Sequence, residues 1–225
     1  MDISQSYSAV QKLLRGLPSL KGPFESPDLT TFPPTPHEAF INWLQFAING
    51  DIKEPHSMTL STVDEDGCPD ARVLILKNLD ERGWHFAIKA DSPKGRQIMT
   101  NPAVALNFYW PQLGRQVRIR GKAVQLPVED CAQDFLERPA GSKATALASR
   151  QSAILDNRAT LDERFREASK KIAADPGYVS ENWQVYAVGP RSVEFLQGAT
   201  DRMHQRLRYE TSGSGEHWIQ QMLYP

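Results

Sequence analysis

The sequence predicts an α+β domain, an antiparallel β-barrel with flanking helices. Three observations carry this reading. Short apolar segments bounded by turn residues recur from Ser57 to Leu126 and again from Trp183. The first two, "SMTLSTV" and "ARVLILKNL", flank "DEDGCPD", whose Asp66-Gly67 pair is a hairpin turn dipeptide. Between the two strand-rich stretches, residues 128–174 read as helices. Antiparallel strands closed into a barrel lose their edges and leave grooves at the mouth or seam.

The elements follow in order. Residues 1–35 include "GLPSLKGPFESPDLTTFPPTP", rich in Pro, Gly and Ser, and predict an irregular N-terminal arm before a single domain over 36–225. Thr35-Pro36-His37-Glu38 fits a capping box with Pro36 in the first helical position. Ala39, Phe40, Trp43, Leu44 and Ala47 keep helical spacing, and Gly50 ends the helix. After the hairpin, "GWHFAIKA" predicts a strand. "SPKGRQIMTN" predicts a short helix with Ser92 as N-cap. "AVALNFYW" and "RQVRIRGKAVQL" predict two more strands. In the second, Val117 and Ile119 alternate with Arg118 and Arg120, as in a half-buried strand. "TLDERFREASKKIAA" is the clearest helix of the central block. "WQVYAVGP", "SVEFLQG" and "RMHQRLRY" predict strands in the tail.

Composition limits the function. With 40% hydrophobic and 24% charged residues, the 225-residue chain can build a sizeable core. A formal net charge of −1 argues against a nucleic-acid binder, so basic clusters act locally. Cys68 and Cys131 form no metal or redox pair and suit a reducing compartment. The five histidines are scattered without H-E-x-x-H, so no metal site is expected. No apolar run reaches membrane-span or signal-peptide length. These features predict a soluble, cytoplasmic protein that uses neither membrane nor nucleic acid.

Three local groups and one basic stripe stand out. Arg72-Val73-Leu74-Ile75-Leu76-Lys77 places cations at both ends of an apolar strand, suited to a phosphate and a planar ring or to a solvated strand end. Asp91-Ser92-Pro93-Lys94-Gly95-Arg96 puts two cations in the first turn of a helix. They disfavour the helix dipole there unless an anion joins them. Ala148-Ser149-Arg150-Gln151-Ser152, with Arg138 and Ser142 upstream, gathers polar donors beside apolar residues, or simply caps a helix. In "RMHQRLRY" an extended chain would set Arg202, His204, Arg206 and Arg208 on one face, with Met203, Leu207 and Tyr209 toward the core. No G-x-G-x-x-G follows a strand, and neither a Walker loop nor a G-x-S-x-G elbow is present.

Taken in order, from about Glu38 to Pro225, these groups resemble the pyridoxine (pyridoxamine) 5′-phosphate oxidase family, the FMN-dependent split-barrel oxidases. The most specific stretch is "SVEFLQGATDRMHQR", similar to the family's C-terminal signature. "FAIKADSPKGR", "ASRQS" and "RLRY" also resemble the phenazine-biosynthesis oxidases of that family. The resemblance implies a split-barrel homodimer with FMN at the subunit interface and a small-molecule substrate. It implies that Arg72 and Lys94 bind the FMN phosphate, that Arg72 to Lys77, with Val73, Leu74 and Ile75, lines the flavin, and that Gln116, Gln151, Ser152 and Arg206 also contact it. It assigns Lys77, Arg138 and Ser142 to a substrate phosphate, and Arg202 and His204 to the substrate ring as catalytic residues. The implied reaction is oxidation of pyridoxamine or pyridoxine 5′-phosphate to pyridoxal 5′-phosphate, with molecular oxygen as acceptor.

The chain departs from the family pattern at several positions. Leu196 stands where the family has Trp, Ala87-Ile88 replaces a Tyr-Thr pair, and Pro93 replaces an Arg. Asp134 falls where a Tyr touches the substrate phosphate, and Met222 where an Arg is usual. These differences leave open two alternatives: oxidation of another small aromatic or amine, as in phenazine biosynthesis, or a non-catalytic split barrel that holds a flavin or vitamer.

Overall fold

The computed structural model describes residues 3–25, 27–211 and 217–225. Among the described residues nine strands form one antiparallel sheet that curls into a split barrel. They are β1 (Ser57–Val63), β2 (Pro69–Ile75), β3 (Asn78–Asp80), β4 (Gly83–Lys89), β5 (Ala103–Trp110), β6 (Arg115–Gln125), β7 (Trp183–Gln197), β8 (Gln205–Thr211) and β9 (Trp218–Leu223). The order is β2-β1-β5-β6-β7-β4-β3, with β8 also on β7 and β9 on β8. The helices are α1 (Ile3–Arg15), α2 (Pro36–Asn49), α3 (Pro93–Thr100), α4 (Val128–Glu137), α5 (Ala140–Ala148) and α6 (Arg158–Ala174).

Apolar alternation drives the closure. On β6, Val117 and Ile119 are fully buried while Arg118 and Arg120 are exposed, as the sequence predicts. Aromatic side chains fill the interior. Phe40 of α2 packs edge-on against Trp84 and Phe108, and Trp43 meets Phe195. The α2 start is capped as expected: the Thr35 hydroxyl accepts from the Glu38 amide at 3.3 Å. That hydroxyl donates to the Glu38 carboxylate at 2.8 Å, in place of the reciprocal bond to the Thr35 amide.

Four local expectations are corrected. The arm is not wholly irregular: Ile3–Arg15 is helical, and Leu29–Thr31 forms a short 3-10 turn capped by Asp28. Leu29 and Phe32 pack into the core, and the Tyr209 hydroxyl donates to the Pro33 carbonyl at 2.7 Å. The stretch "ARVLILKNL" breaks after Ile75, and Asn78–Asp80 pairs instead with β4. The two expected strands "WQVYAVGP" and "SVEFLQG" are one, β7: Gly189 and Pro190 pair with Lys122 and Gly121, Ser192 pairs with Arg120, and the extra residue between them, Arg191, is taken up as a bulge without ending the ladder. A Cβ on Gly121 would overlap the Gly189 carbonyl, so only glycine permits this approach.

The fourth correction bears on the site. Strand β8 begins at Gln205, not at Arg202. Arg202, Met203 and His204 lie in the preceding turn, where Arg202 has φ 71°. Met203 is 66% exposed and does not enter the core, whereas Leu207 and Tyr209 do. The turn is closed by Arg202 N–H to the Ala199 carbonyl, so period-two alternation holds only from Gln205 onward. Strand β9 carries no strand reading in the sequence, because "WIQQML" lacks alternation: Ile219 and Met222 are both exposed and its support comes from pairing with β8.

Candidate active site

The predicted residues fall into three groups. The first lies where β2, α3 and the loop after α5 meet. Asp70 to Leu74, Pro93, Lys94, Gln151 and Ser152 line one cavity of about 400 Å³. Ser92 caps α3: its hydroxyl accepts from the Gly95 amide at 3.2 Å and donates to the Lys89 carbonyl at 2.7 Å. This fixes the helix start beside the cavity. A Cβ on Gly95 would strike the carbonyl oxygens of Ala90 and Lys89, so the close turn requires glycine.

Arg72 projects from β2 into a polar network. It donates to the Thr62 hydroxyl at 2.6 Å and to Gln97 Oε1 at 3.2 Å, and it pairs with Asp70. Lys94 is 5% exposed and donates to Gln151 Oε1 at 2.9 Å. It makes no ion pair among the described residues. Burial first, then the neighbouring Arg72 charge, hold its pKa below the usual lysine range. A buried cation bonded to a neutral amide at the edge of a cavity, with a second cation beside it, fits an incoming phosphate. Val73 and Ile75 turn outward from the same strand, 68% and 45% exposed.

The second group runs across three strands. Gln116 of β6 is in register with Leu196 of β7, and Leu196 with Arg206 of β8. Gln116 Nε2 donates to Asn107 Oδ1 at 2.5 Å. Arg206 grips Glu194 Oε1 through Nε at 2.9 Å and Nη2 at 2.7 Å. Just ahead of β8, His204 Nδ1 accepts from the Ala199 amide at 3.0 Å, which leaves Nε2 to carry the proton of the neutral ring. Arg202 is exposed beside it. None of Gln116, Arg202, His204 and Arg206 lines the Arg72–Lys94 cavity.

The third group joins Lys77, Arg138 and Ser142 through residues that sequence reading assigned differently or missed. Lys77 Nζ lies 3.0 Å from Asp134 Oδ1. Asp134 Oδ2 accepts from Trp183 Nε1 at 2.7 Å. The Arg138 guanidinium stacks over the Trp183 ring at 4.0 Å and donates to the Ser142 carbonyl at 3.2 Å. Burial lowers the Arg138 pKa, opposed by Asp134. Thr62, Gln97, Trp183 and Glu194 are the partners not foreseen. Only Glu194 had a signal, as the acid of "SVEFLQG".

Two of the departures, Pro93 and Ala87, find local explanations. Pro93 opens α3 in the position where its missing N–H costs nothing. Ala87 packs beside Phe135 and Trp183, where a small residue leaves room for the indole. Met222 of β9 pairs with Leu207 of β8 and is exposed.

Residues 44–171 match the pyridoxamine 5′-phosphate oxidase family, and residues 183–225 match the pyridoxine 5′-phosphate oxidase C-terminal dimerisation region. The chain belongs to the pyridoxamine 5′-phosphate oxidase family. This is a family of FMN-dependent oxidoreductases. The chain is 38% identical over 198 residues to the pyridoxine/pyridoxamine 5′-phosphate oxidase of Paraburkholderia phytofirmans, covering 88% of this chain and 92% of that one. It is 41% identical to the Salinibacter ruber oxidase of the same name, over 84% of this chain and 89% of that one. Among solved structures it is similar to PhzG from Burkholderia lata, crystallised with tetrahydrophenazine-1-carboxylic acid. The TM-score is 0.84 at 29% identity, covering 91% of this chain and all of that one. Of the second group, Arg202, His204 and Arg206 fall in the stretch that matches the dimerisation region, and Gln116 falls in the other match. No helix among the described residues is long and apolar enough to cross a membrane.

Proposed function

We propose that this chain is an FMN-dependent oxidase that works as a cytoplasmic homodimer. The observation that carries the reading is Lys94, a buried cation without a carboxylate partner among the described residues, facing a cavity it shares with Arg72, Gln151 and Ser152. FMN, when bound there, supplies the acceptor for a hydride equivalent from the substrate and passes the electrons on to molecular oxygen. Arg72 and Lys94 hold its phosphate, with Gln151 and Ser152 as polar partners. The outward Val73 and Ile75 offer an apolar wall to a planar ring. Gln116 and Arg206 lie outside this cavity and would serve the site of the second copy; Arg206 lies in the stretch that matches the family's dimerisation region.

The chain's own residues then orient the donor. Arg202 and His204 face the substrate ring. The Ala199 amide occupies His204 Nδ1, so neutral His204 presents an Nε2–H donor to an oxygen or nitrogen of the substrate. Lys77, Arg138 and Ser142 anchor an anionic substituent and fix how far the reacting carbon sits from the cofactor. Pyridoxamine or pyridoxine 5′-phosphate is the donor supported by the relatives' names. A second reading, a different small aromatic or amine, is supported by the Lys77–Asp134 ion pair and the likeness to PhzG.

The test is direct. The purified protein is expected to be yellow or to turn yellow with added FMN, and pyridoxamine 5′-phosphate is then expected to bleach the flavin without oxygen. A colourless protein that ignores FMN removes the cofactor assignment. A yellow protein that never bleaches removes only the donor.

A further inference from the structure

The turn that carries Arg202 and His204 is fastened to the barrel at its first residues. Strand β7 ends at Gln197, in register with Gln205 of β8, and Gly198 to His204 span the gap between the two strands. Gly198 N–H donates to the Gly114 carbonyl at 2.7 Å. The Gln197 side chain is buried. Its Nε2 donates to the Leu113 carbonyl at 3.1 Å and to the Gly198 carbonyl at 3.2 Å, and its Oε1 accepts from Arg115 Nε at 2.9 Å. Both N–H groups and the oxygen of this amide are therefore used. These bonds tie the turn to the connection between β5 and β6, formed by Pro111–Leu113 and Gly114.

Arg115 is the costly member of this network. It is 3% exposed and makes no ion pair among the described residues. Its guanidinium lies 3.9 Å from the Phe46 ring centroid and 4.7 Å from that of Trp43, both on α2. Burial lowers its pKa, opposed by Glu25. A buried cation bonded to a neutral amide is unfavourable, and the aromatic faces offset only part of that penalty. What the cation supplies is a fixed donor. With Arg115 Nε in place, a flipped Gln197 amide would set its N–H groups against another donor and its oxygen against two carbonyls, so one orientation remains. The constraint carries into the turn. Ala199 follows Gly198 directly, its carbonyl accepts from Arg202 N–H at 3.2 Å, and its own N–H donates to His204 Nδ1 at 3.0 Å.

We infer that Arg115 and Gln197 are positioning residues: acting through Gly198 and Ala199, they fix the turn that presents Arg202 and His204 and hold the His204 ring with Nε2–H toward the substrate. The inference rests on the placement of Arg202 and His204 at the substrate ring in the proposed function.

The experiment reads the His204 ring by nitrogen NMR on the full-length protein, labelled at its histidine nitrogens, with His204→Gln giving the assignment. At alkaline pH the wild type is expected to hold the Nε2–H tautomer. Gln197→Met removes the amide at similar volume and is expected to lower the ratio of Nε2–H to Nδ1–H tautomer about threefold or more, the scale of one weakened hydrogen bond. Arg115→Lys keeps the charge but not the planar donor; it is expected to act in the same direction and serves where the first variant fails to fold. Because both act by one route, the double variant is expected to go no further than the larger single change. Leu126→Ala, in a separate small cluster, is the control that loses stability and leaves the tautomer unmoved. With FMN added, kcat for pyridoxamine 5′-phosphate is expected to fall about tenfold or more in Gln197→Met while FMN affinity stays within about threefold. The tautomer is read without flavin or substrate, so its failure is told apart from failure of the proposed function. A wild type in the Nδ1–H form, a tautomer that neither folded variant moves, or additive effects in the double variant, overturns the inference.

Discussion

Lys94 Nζ donates to Gln151 Oε1 at 2.9 Å, tying the first turn of α3 to the loop after α5 across 57 residues of sequence. This bond joins two of the three local groups singled out in the sequence. It holds a buried ammonium at the wall of a cavity whose other cation, Arg72, arrives from β2. The pairing brings residues of three separate polar clusters to the wall of one cavity.

FMN binding should weaken in alkali earlier than ordinary lysine chemistry implies. Burial and Arg72 lower the Lys94 pKa from its usual value of 10.5. Lys94 is fully charged below its shifted value, and the charge is lost as pH rises through it. Affinity for a dianionic phosphate therefore falls over the window beneath 10.5. In the same window the unfolded chain binds more protons than the folded, flavin-free protein, whose stability accordingly rises with pH. Flavin fluorescence titrations across pH check the first effect. Lys94→Met is expected to flatten the profile and to cost about ten- to a hundredfold in affinity at neutral pH, the range for one charged hydrogen bond.

Arg72→Lys should lose more than a charge swap suggests. The guanidinium reaches Thr62, Gln97 and Asp70 at once, which an ammonium on a shorter reach does not reproduce. Flavin-free Arg72→Lys is expected to be less stable by about 1 kcal/mol, a melting shift of about 2–4 °C. FMN affinity should drop along with it. Calorimetric melts with and without FMN separate the two effects.

Gly95→Ala tests the cradle itself. An added Cβ meets backbone oxygen atoms of Ala90 and Lys89, which cannot rotate aside. The expected loss is about 1–3 kcal/mol of stability, typical of overpacking. Denaturant unfolding measures it, and Gly141→Ala, where nothing lies within 4 Å, is the matched control with little change.

Glu194→Gln should release Arg206. The carboxylate is gripped by two Arg206 nitrogens and touched by Arg118 at 3.4 Å, and its side chain is 11% exposed. Losing its charge leaves Arg206 half-buried and uncompensated, a cost of about 1–3 kcal/mol. Thermal unfolding at two protein concentrations reports the loss and shows whether β8 in the dimerisation region responds to association.

Much of the fold was legible because its signals are local. Thr35 and Ser92 announce helix starts through side chains that bond an amide three residues on, and both do so. Val117 and Ile119 announce a buried face by alternation. Local signals failed where tertiary pairing outweighed them. Pro190 reads as a strand end, yet it pairs with Gly121 of β6 and β7 runs on past the bulge at Arg191. Arg202 and His204 read as strand because their spacing matches Arg206 and Arg208, yet a turn hydrogen bond to Ala199 takes them out of the sheet.

The sequence by itself determined most of the helices and strands from Pro36 to Gln197, the buried face of β6, and that Arg72, Lys94 and Gln151 carry donors suited to an anion. Only the tertiary structure decided how charges are shared. The family resemblance makes Asp134 a misplaced acid in a phosphate pocket; in the fold it is the counter-ion of Lys77 and the acceptor of Trp183, a residue 49 positions away. The physical reason is that an element's period is written in neighbouring residues, whereas the partner of a partly buried charge depends on which elements pack together, and that is set by the whole core.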